Sequence, residues 1–185
     1  MKRFIATFLV LILLSGCSKE NQIGTGLDLR NKILNSEGCS FDAVVTADYG
    51  DDIYTFSMRC GSDRTGAIKF EVTDPETISG ITGEFSSAGG KLTFEDTVIS
   101  FRPLTNDQLT PVSAPWILLN ALRSGYLSSA GKDGEFIRLS IDDSYEENAL
   151  HLDVWLNENN EPFRGDVLWK GQRILTIDVR NFQIV

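Results

Sequence analysis

Histidine is almost missing from this chain: 185 residues include a single one, His151, together with only three cysteines and two methionines. One imidazole cannot build a multi-histidine metal centre. With no G-x-S-x-G elbow in the sequence, it also has no serine nucleophile motif to serve as base. Basic residues are scarce, seventeen against twenty-six acidic, for a formal charge of −9. Phosphate binding needs a clustered basic surface, so this balance argues against a nucleic-acid partner. The sequence has no internal repeat, no low-complexity segment and no apolar run long enough to span a bilayer as a permanent helix.

What is present begins at the N-terminus. The basic pair Lys2-Arg3 precedes an eleven-residue apolar run from Phe4 to Leu14, which closes in Leu14-Ser15-Gly16-Cys17. A positive n-region, a short apolar core and small residues before a cysteine make a bacterial lipoprotein signal, in which the cysteine thiol receives a diacylglycerol. The expected division is a signal peptide over 1–16, lipidated Cys17 with a polar, glycine-bearing tether over 17–26, and one domain over 27–185. Two or three acyl chains on Cys17 give stable anchoring, since each buried methylene adds about 0.8 kcal/mol. The protein is therefore expected on the cell membrane or outer membrane, facing the extracytoplasmic side. Loss of Lys2 and Arg3 with the signal leaves a net charge of −11. Such a domain is expected to stand off an anionic lipid surface.

With Cys17 assigned to lipid, Cys39 and Cys60 remain in an exported, oxidising setting. Between them Asp48-Tyr49-Gly50-Asp51 reads as a turn joining two alternating segments. Setting Ala47 against Asp52 brings Val45 opposite Tyr54, Ala43 opposite Phe56, Phe41 opposite Met58 and Cys39 opposite Cys60, all on one face. This register predicts a Cys39–Cys60 disulfide, worth about 3 kcal/mol. The alternative is two buried thiols.

Residues 27–35 carry Leu27, Leu29, Ile33 and Leu34 at helical spacing. Strands are predicted on either side of the first turn and over 67–73, 81–85, 91–94 and 98–102, followed by a polar loop over 104–111. Ser113-Ala114-Pro115 then supplies a helix start. The helix over 116–123 is apolar on nearly every side, so it must be covered all round. Four more strands are predicted over 135–142, 149–157, 163–170 and 173–182. In the second of these Leu150, Leu152, Val154 and Leu156 face one way and His151, Asp153 and Trp155 the other. The fold class is mainly β, α+β in composition: a curled antiparallel half-barrel with an N-terminal helix and a mid-chain helix filling its concave side.

Polar constellations carry little chemistry. His151 shares a wet strand face with Asp153 and reads as a surface histidine. Ser87-Ala88-Gly89-Gly90-Lys91 lacks the spacing of a phosphate loop and reads as a hairpin. Asp142-Asp143 with Glu146-Glu147 reads as a solvated turn, without the spacing of a calcium loop. No catalytic residue, metal or cofactor is expected. The candidate binding residues are apolar: Val45, Tyr54, Phe56, Phe70, Trp116 and Leu119 should face the concave side. They form either an ordinary closed core or a cleft for acyl chains or an apolar peptide.

The order of elements, the lipobox, and the passage Phe70-Glu71-Val72-Thr73-Asp74-Pro75 with Ile78-Ser79-Gly80-Ile81-Thr82-Gly83 resemble the LolA/LolB/RseB-like lipoprotein-carrier superfamily over 27–185. Among its lipidated members the chain is similar to the GerS-like germination lipoproteins. The resemblance implies a noncatalytic role as a scaffold or binding module for an envelope protein partner, or alternatively as a lipid or lipoprotein carrier or receptor. Lipidation sets the chain apart from the soluble shuttle of that family and favours an anchored receptor or scaffold. Receptors of this type display an apolar residue on a protruding loop, for which Asp107-Gln108-Leu109-Thr110 is the candidate here.

Overall fold

The computed structural model describes residues 18–102, 104–105, 108–146 and 149–185; the lipobox with Cys17, and Asp107 and Glu147, lie outside them. The described chain opens with helix α1 (Ser18–Leu34). An eleven-stranded antiparallel sheet follows, in the order β6-β5-β4-β3-β2-β1-β13-β12-β11-β10-β9. The strands are β1 (Cys39–Asp48), β2 (Ile53–Ser62), β3 (Ile68–Asp74), β4 (Thr82–Ser86), β5 (Gly89–Phe94) and β6 (Thr97–Phe101). After a two-residue-per-strand hairpin, β7 (Leu104–Thr105) and β8 (Gln108–Leu109), comes helix α2 (Ala114–Ser124). Strands β9 (Tyr126–Asp133), β10 (Phe136–Asp142), β11 (His151–Leu156), β12 (Pro162–Trp169) and β13 (Gln172–Ile184) complete the sheet. The predicted half-barrel is the fold that the chain adopts.

Period-two patterning gives the sheet one dry face. Along β1 buried Cys39, Phe41, Ala43, Val45 and Ala47 alternate with wetter neighbours, and in β11 Leu152, Val154 and Leu156 alternate with half-buried His151, Asp153 and Trp155. β1 pairs with β13, so the two groups of strands meet at the centre. Register shifts in five of the strand pairs, among them Ser40/Asp42 and Val167/Leu168, add local bend and twist. Glycine permits close aromatic packing inside the curl: a Cβ on Gly83 would collide with the ring of Phe70, and one on Gly90 with Phe85 and Phe101.

Pro115 in the first turn starts α2 and Gly125 stops it. Ile117, Leu118, Leu119, Ala121 and Leu122 are all buried, so this helix lies in the concavity as its apolar surface requires. Burying each large aliphatic of this set contributes about 1.5–3 kcal/mol before entropy.

Three expectations are corrected. Residues 18–26 are helix rather than a flexible tether, since α1 starts at Ser18; Gly26 lies against Leu127 and Leu139, where a side chain would crowd both. Strand β9 was not expected, because Tyr-Leu-Ser-Ser-Ala-Gly-Lys-Asp carries few apolar residues; as an edge strand it needs few. The β1–β2 register differs by two residues: Ala47 pairs with Tyr54, Val45 with Phe56 and Phe41 with Cys60. The turn sits one residue later than expected, with Tyr49 N–H donating to the Asp52 carbonyl. Cys39 therefore meets Ser62, whose hydroxyl accepts its N–H at 2.8 Å, and Cys39 and Cys60 are free, buried thiols rather than a disulfide.

Candidate functional site

The concave side is not filled to its end. Beside the segment that leads into α2 a cleft of about 900 Å³ remains, lined mainly by apolar side chains. Its floor is Phe56 from β2, Val72 from β3, Ile81 just before β4 and Leu92 from β5. Tyr49, Ile53 and Tyr54 of the first hairpin form one wall, and Pro75 with Ile78 another. The remaining wall, residues 109–112, is Leu109-Thr110-Pro111-Val112. Its size falls within the ~300–1,000 Å³ typical of small-molecule sites.

Local hydrogen bonds hold that last wall in place. Leu109 is almost fully buried, and its carbonyl accepts from the Tyr49 hydroxyl. The Thr110 hydroxyl donates to the Arg102 carbonyl at 2.8 Å, and the buried Ser113 hydroxyl donates to the Thr110 carbonyl at 2.6 Å. Burial, with a smaller contribution from neighbouring Tyr54, pushes the Tyr49 phenol above its ordinary pKa, so it remains a donor. The wall is thus tied to the β1–β2 hairpin through one side chain.

Of the six residues expected to line a cleft, Tyr54 and Phe56 do so. Val45, Phe70 and Leu119 are buried in the core instead. Half-buried Trp116 packs tilted against Phe85 at 5.0 Å between ring centroids, and Phe85 in turn against Phe101 at 5.2 Å. This aromatic column closes the concavity on the β4–β6 side. The sequence reading missed Tyr49, Ile81, Leu92 and Val112 as lining residues. For Tyr49 and Val112 the signal was an apolar residue at a turn or loop position, Tyr49 beside Gly50 and Val112 after a polar stretch; Ile81 and Leu92 fell in predicted strands.

His151 and Asp153 lie on the wet face of the sheet, away from the cleft. His151 Nδ1 is 2.7 Å from Asp142 Oδ1, and its Nε2 is 3.6 Å from Asp153, which also accepts from the Ser140 hydroxyl at 2.7 Å. Asp166, nearly buried, is held by Arg164, Arg173 and the Thr176 hydroxyl. In the acidic turn Asp143 accepts the Leu150 N–H at 2.8 Å. Among the described residues no cluster of His, Cys, Asp and Glu has the form of a metal site. What the concave arrangement can do chemically is desolvate an apolar group and offer it aromatic contacts.

No family model matches the chain, and no curated protein matches it in sequence. Solved structures match it in shape. A LolA superfamily protein from Nitrosomonas europaea is 7% identical, with 86% of this chain and 93% of that one covered and a TM-score of 0.47. The lipoprotein LppX of Mycobacterium tuberculosis is 11% identical over 86% and 92%, with a TM-score of 0.41. MucB in its complex with MucA from Pseudomonas aeruginosa is 11% identical over 85% of this chain and 56% of that one, with a TM-score of 0.41. The chain is similar to LolA superfamily proteins and to MucB in its fold, a curled open sheet.

Proposed function

We propose that this protein is a noncatalytic binding module of the cell envelope, anchored through acylated Cys17, whose concave cleft takes an apolar ligand. The observation that carries this reading is the open apolar cleft between the first hairpin and residues 109–112, with the rest of the concavity filled by α2. A closed core would have left no such space. The chemistry recognised is an apolar chain or side-chain cluster, carried either by a lipid or by an apolar segment of an envelope protein. Nothing in the cleft asks for bond making or breaking, so binding and presentation are its task.

The reading is tested with an apolar fluorophore such as N-phenylnaphthylamine. The mature protein should enhance its emission saturably, and fatty acyl compounds or an apolar peptide should displace it. Ile81 and Val112 are only partly buried, so Ile81→Glu and Val112→Glu should leave the fold intact by circular dichroism while abolishing the enhancement. Unchanged binding in both variants would contradict the cleft as the site.

A further inference from the structure

Exposed tyrosines and aliphatics, Ile53, Tyr54, Tyr126 and Tyr145 among them, stand at one end of the sheet. Register defines that end: Ala47 of β1 is level with Leu175, and the pairing continues through Val167, Leu152 and Ile141 to Leu127. Next to this row stand Ile53 and Tyr54 at the start of β2 and Tyr126 at the start of β9. On the other side of the sheet the register sets exposed Val98 and Ile99 of β6 level with Asp42 and Phe41 of β1, away from that end. Tyr145, in the loop after β10, is 87% exposed and its ring lies tilted against Tyr126 at 5.1 Å. The opposite end exposes Leu34, Phe136, Ile184 and Val185.

Helix α1 points its start towards the end that carries Tyr126 and Tyr145. Ile23 and Leu27 line a depression of about 690 Å³ together with Tyr126, Leu127 and Tyr145. This helix begins at Ser18, the residue directly after Cys17 in the sequence. Ser18 to Ile23 is about 7.5 Å of helix axis. The helix is fixed to the body by Leu29 and Ile33 in the core and by Arg30, which donates to the carbonyls of Leu122 and Gly125 at the end of α2.

We propose that this end of the half-barrel is a membrane-facing surface, seated on the lipid interface by its exposed tyrosines and aliphatics and held there by the acyl chains of Cys17. The proposal rests on the anchor reading given above. Tyrosine suits the place, because its ring is apolar and its hydroxyl wet. Exposed Asp51, Asp52, Asp143 and Glu146 stand at the same end, so an anionic lipid surface repels it. The acyl chains therefore supply the affinity and the apolar side chains the orientation. The cleft wall formed by Tyr49, Ile53 and Tyr54 stands at this same end, which brings the cleft close to the bilayer surface.

The test uses the full-length lipidated protein in phosphatidylcholine vesicles, with an NBD fluorophore on Tyr145→Cys or, at the opposite end, on Glu135→Cys. Cys39 and Cys60 are buried and Cys17 is acylated, so only the introduced thiol reacts. NBD at position 145 should brighten several-fold, shift to the blue and be quenched by doxyl-labelled lipid, while NBD at position 135 should be unaffected. Vesicle flotation with identical behaviour of the two probes would overturn the orientation and leave the anchor standing. Failure to float with the vesicles would overturn the anchor and the orientation together.

Discussion

Phe41 stands opposite Cys60 across the β1–β2 pair, which leaves Cys39 and Cys60 two residues out of step on the same face. Burial pushes the Cys60 thiol up to about 12, from 9.0, with a smaller contribution from Asp42. The folded chain therefore keeps this proton at a pH where the unfolded chain releases it. Above pH 9 the unfolded state binds fewer protons, so stability should fall by up to about 1.4 kcal/mol per pH unit, until the folded thiol itself titrates. Cys60→Ala should flatten this slope in urea titrations between pH 8 and 11. Mass-tagging of the native protein should also find both thiols unreactive, and in denaturant both should react without prior reduction; a need for reductant would establish a disulfide.

Arg30 links α1 to the end of α2. Its Nε donates to the Leu122 carbonyl at 2.8 Å and its Nη2 to the Gly125 carbonyl at 2.6 Å, where a cation also complements the helix dipole. Burial lowers its pKa from the ordinary value without removing its charge. Arg30→Met should cost about 1.5–3 kcal/mol in chemical denaturation, the range for bonds to a charged group. Arg30→Lys should recover only part of this, because an ammonium cannot span two carbonyls with the same fork.

Gly83 and Gly90 let the rings of Phe70, Phe85 and Phe101 lie against the sheet. Gly83→Ala and Gly90→Ala should each destabilise by about 1–3 kcal/mol through overpacking. Gly131→Ala, where a Cβ meets nothing within 4 Å, is the control and should be near neutral. Equal losses at all three positions would point to a general strand effect rather than to the rings.

The cleft should discriminate by charge. None of the described residues lining it is Lys or Arg, while Asp51, Asp52, Asp74 and Glu76 lie beside lining residues in the sequence and are exposed. At low ionic strength an alkylamine should displace the apolar fluorophore at about one-tenth the concentration of the fatty acid of equal length, a difference of about 1.4 kcal/mol. Salt should narrow the gap. Tighter binding of the carboxylate would contradict this arrangement of charge.

Much of the architecture was legible because it rests on periodicity. Leu152, Val154 and Leu156 alternate cleanly and fall on the dry face, and the all-round apolar segment after Pro115 is the helix inside the curl. The first hairpin was legible in its faces but not in its register. A two-residue slip preserves every inward and outward assignment, so apolar matching cannot detect it; only the position of the turn at Tyr49 decides it. Residues 18–26 looked like a tether because two glycines and several polar residues carry little helical signal, yet Gly26 is there to clear Leu127 and Leu139. The cleft was legible only in Tyr54 and Phe56, since two of its walls come from a turn and a loop joined by the Tyr49 hydroxyl and the Leu109 carbonyl.

Native mass spectrometry of the mature protein purified from cells, wild type beside Val112→Glu, tests the central claim most directly. The account predicts a co-purifying acyl compound, or a stoichiometric adduct on addition of one, in the wild type and its loss in the variant. A bare mass that accepts no apolar ligand, or an adduct indifferent to Val112→Glu, would contradict it.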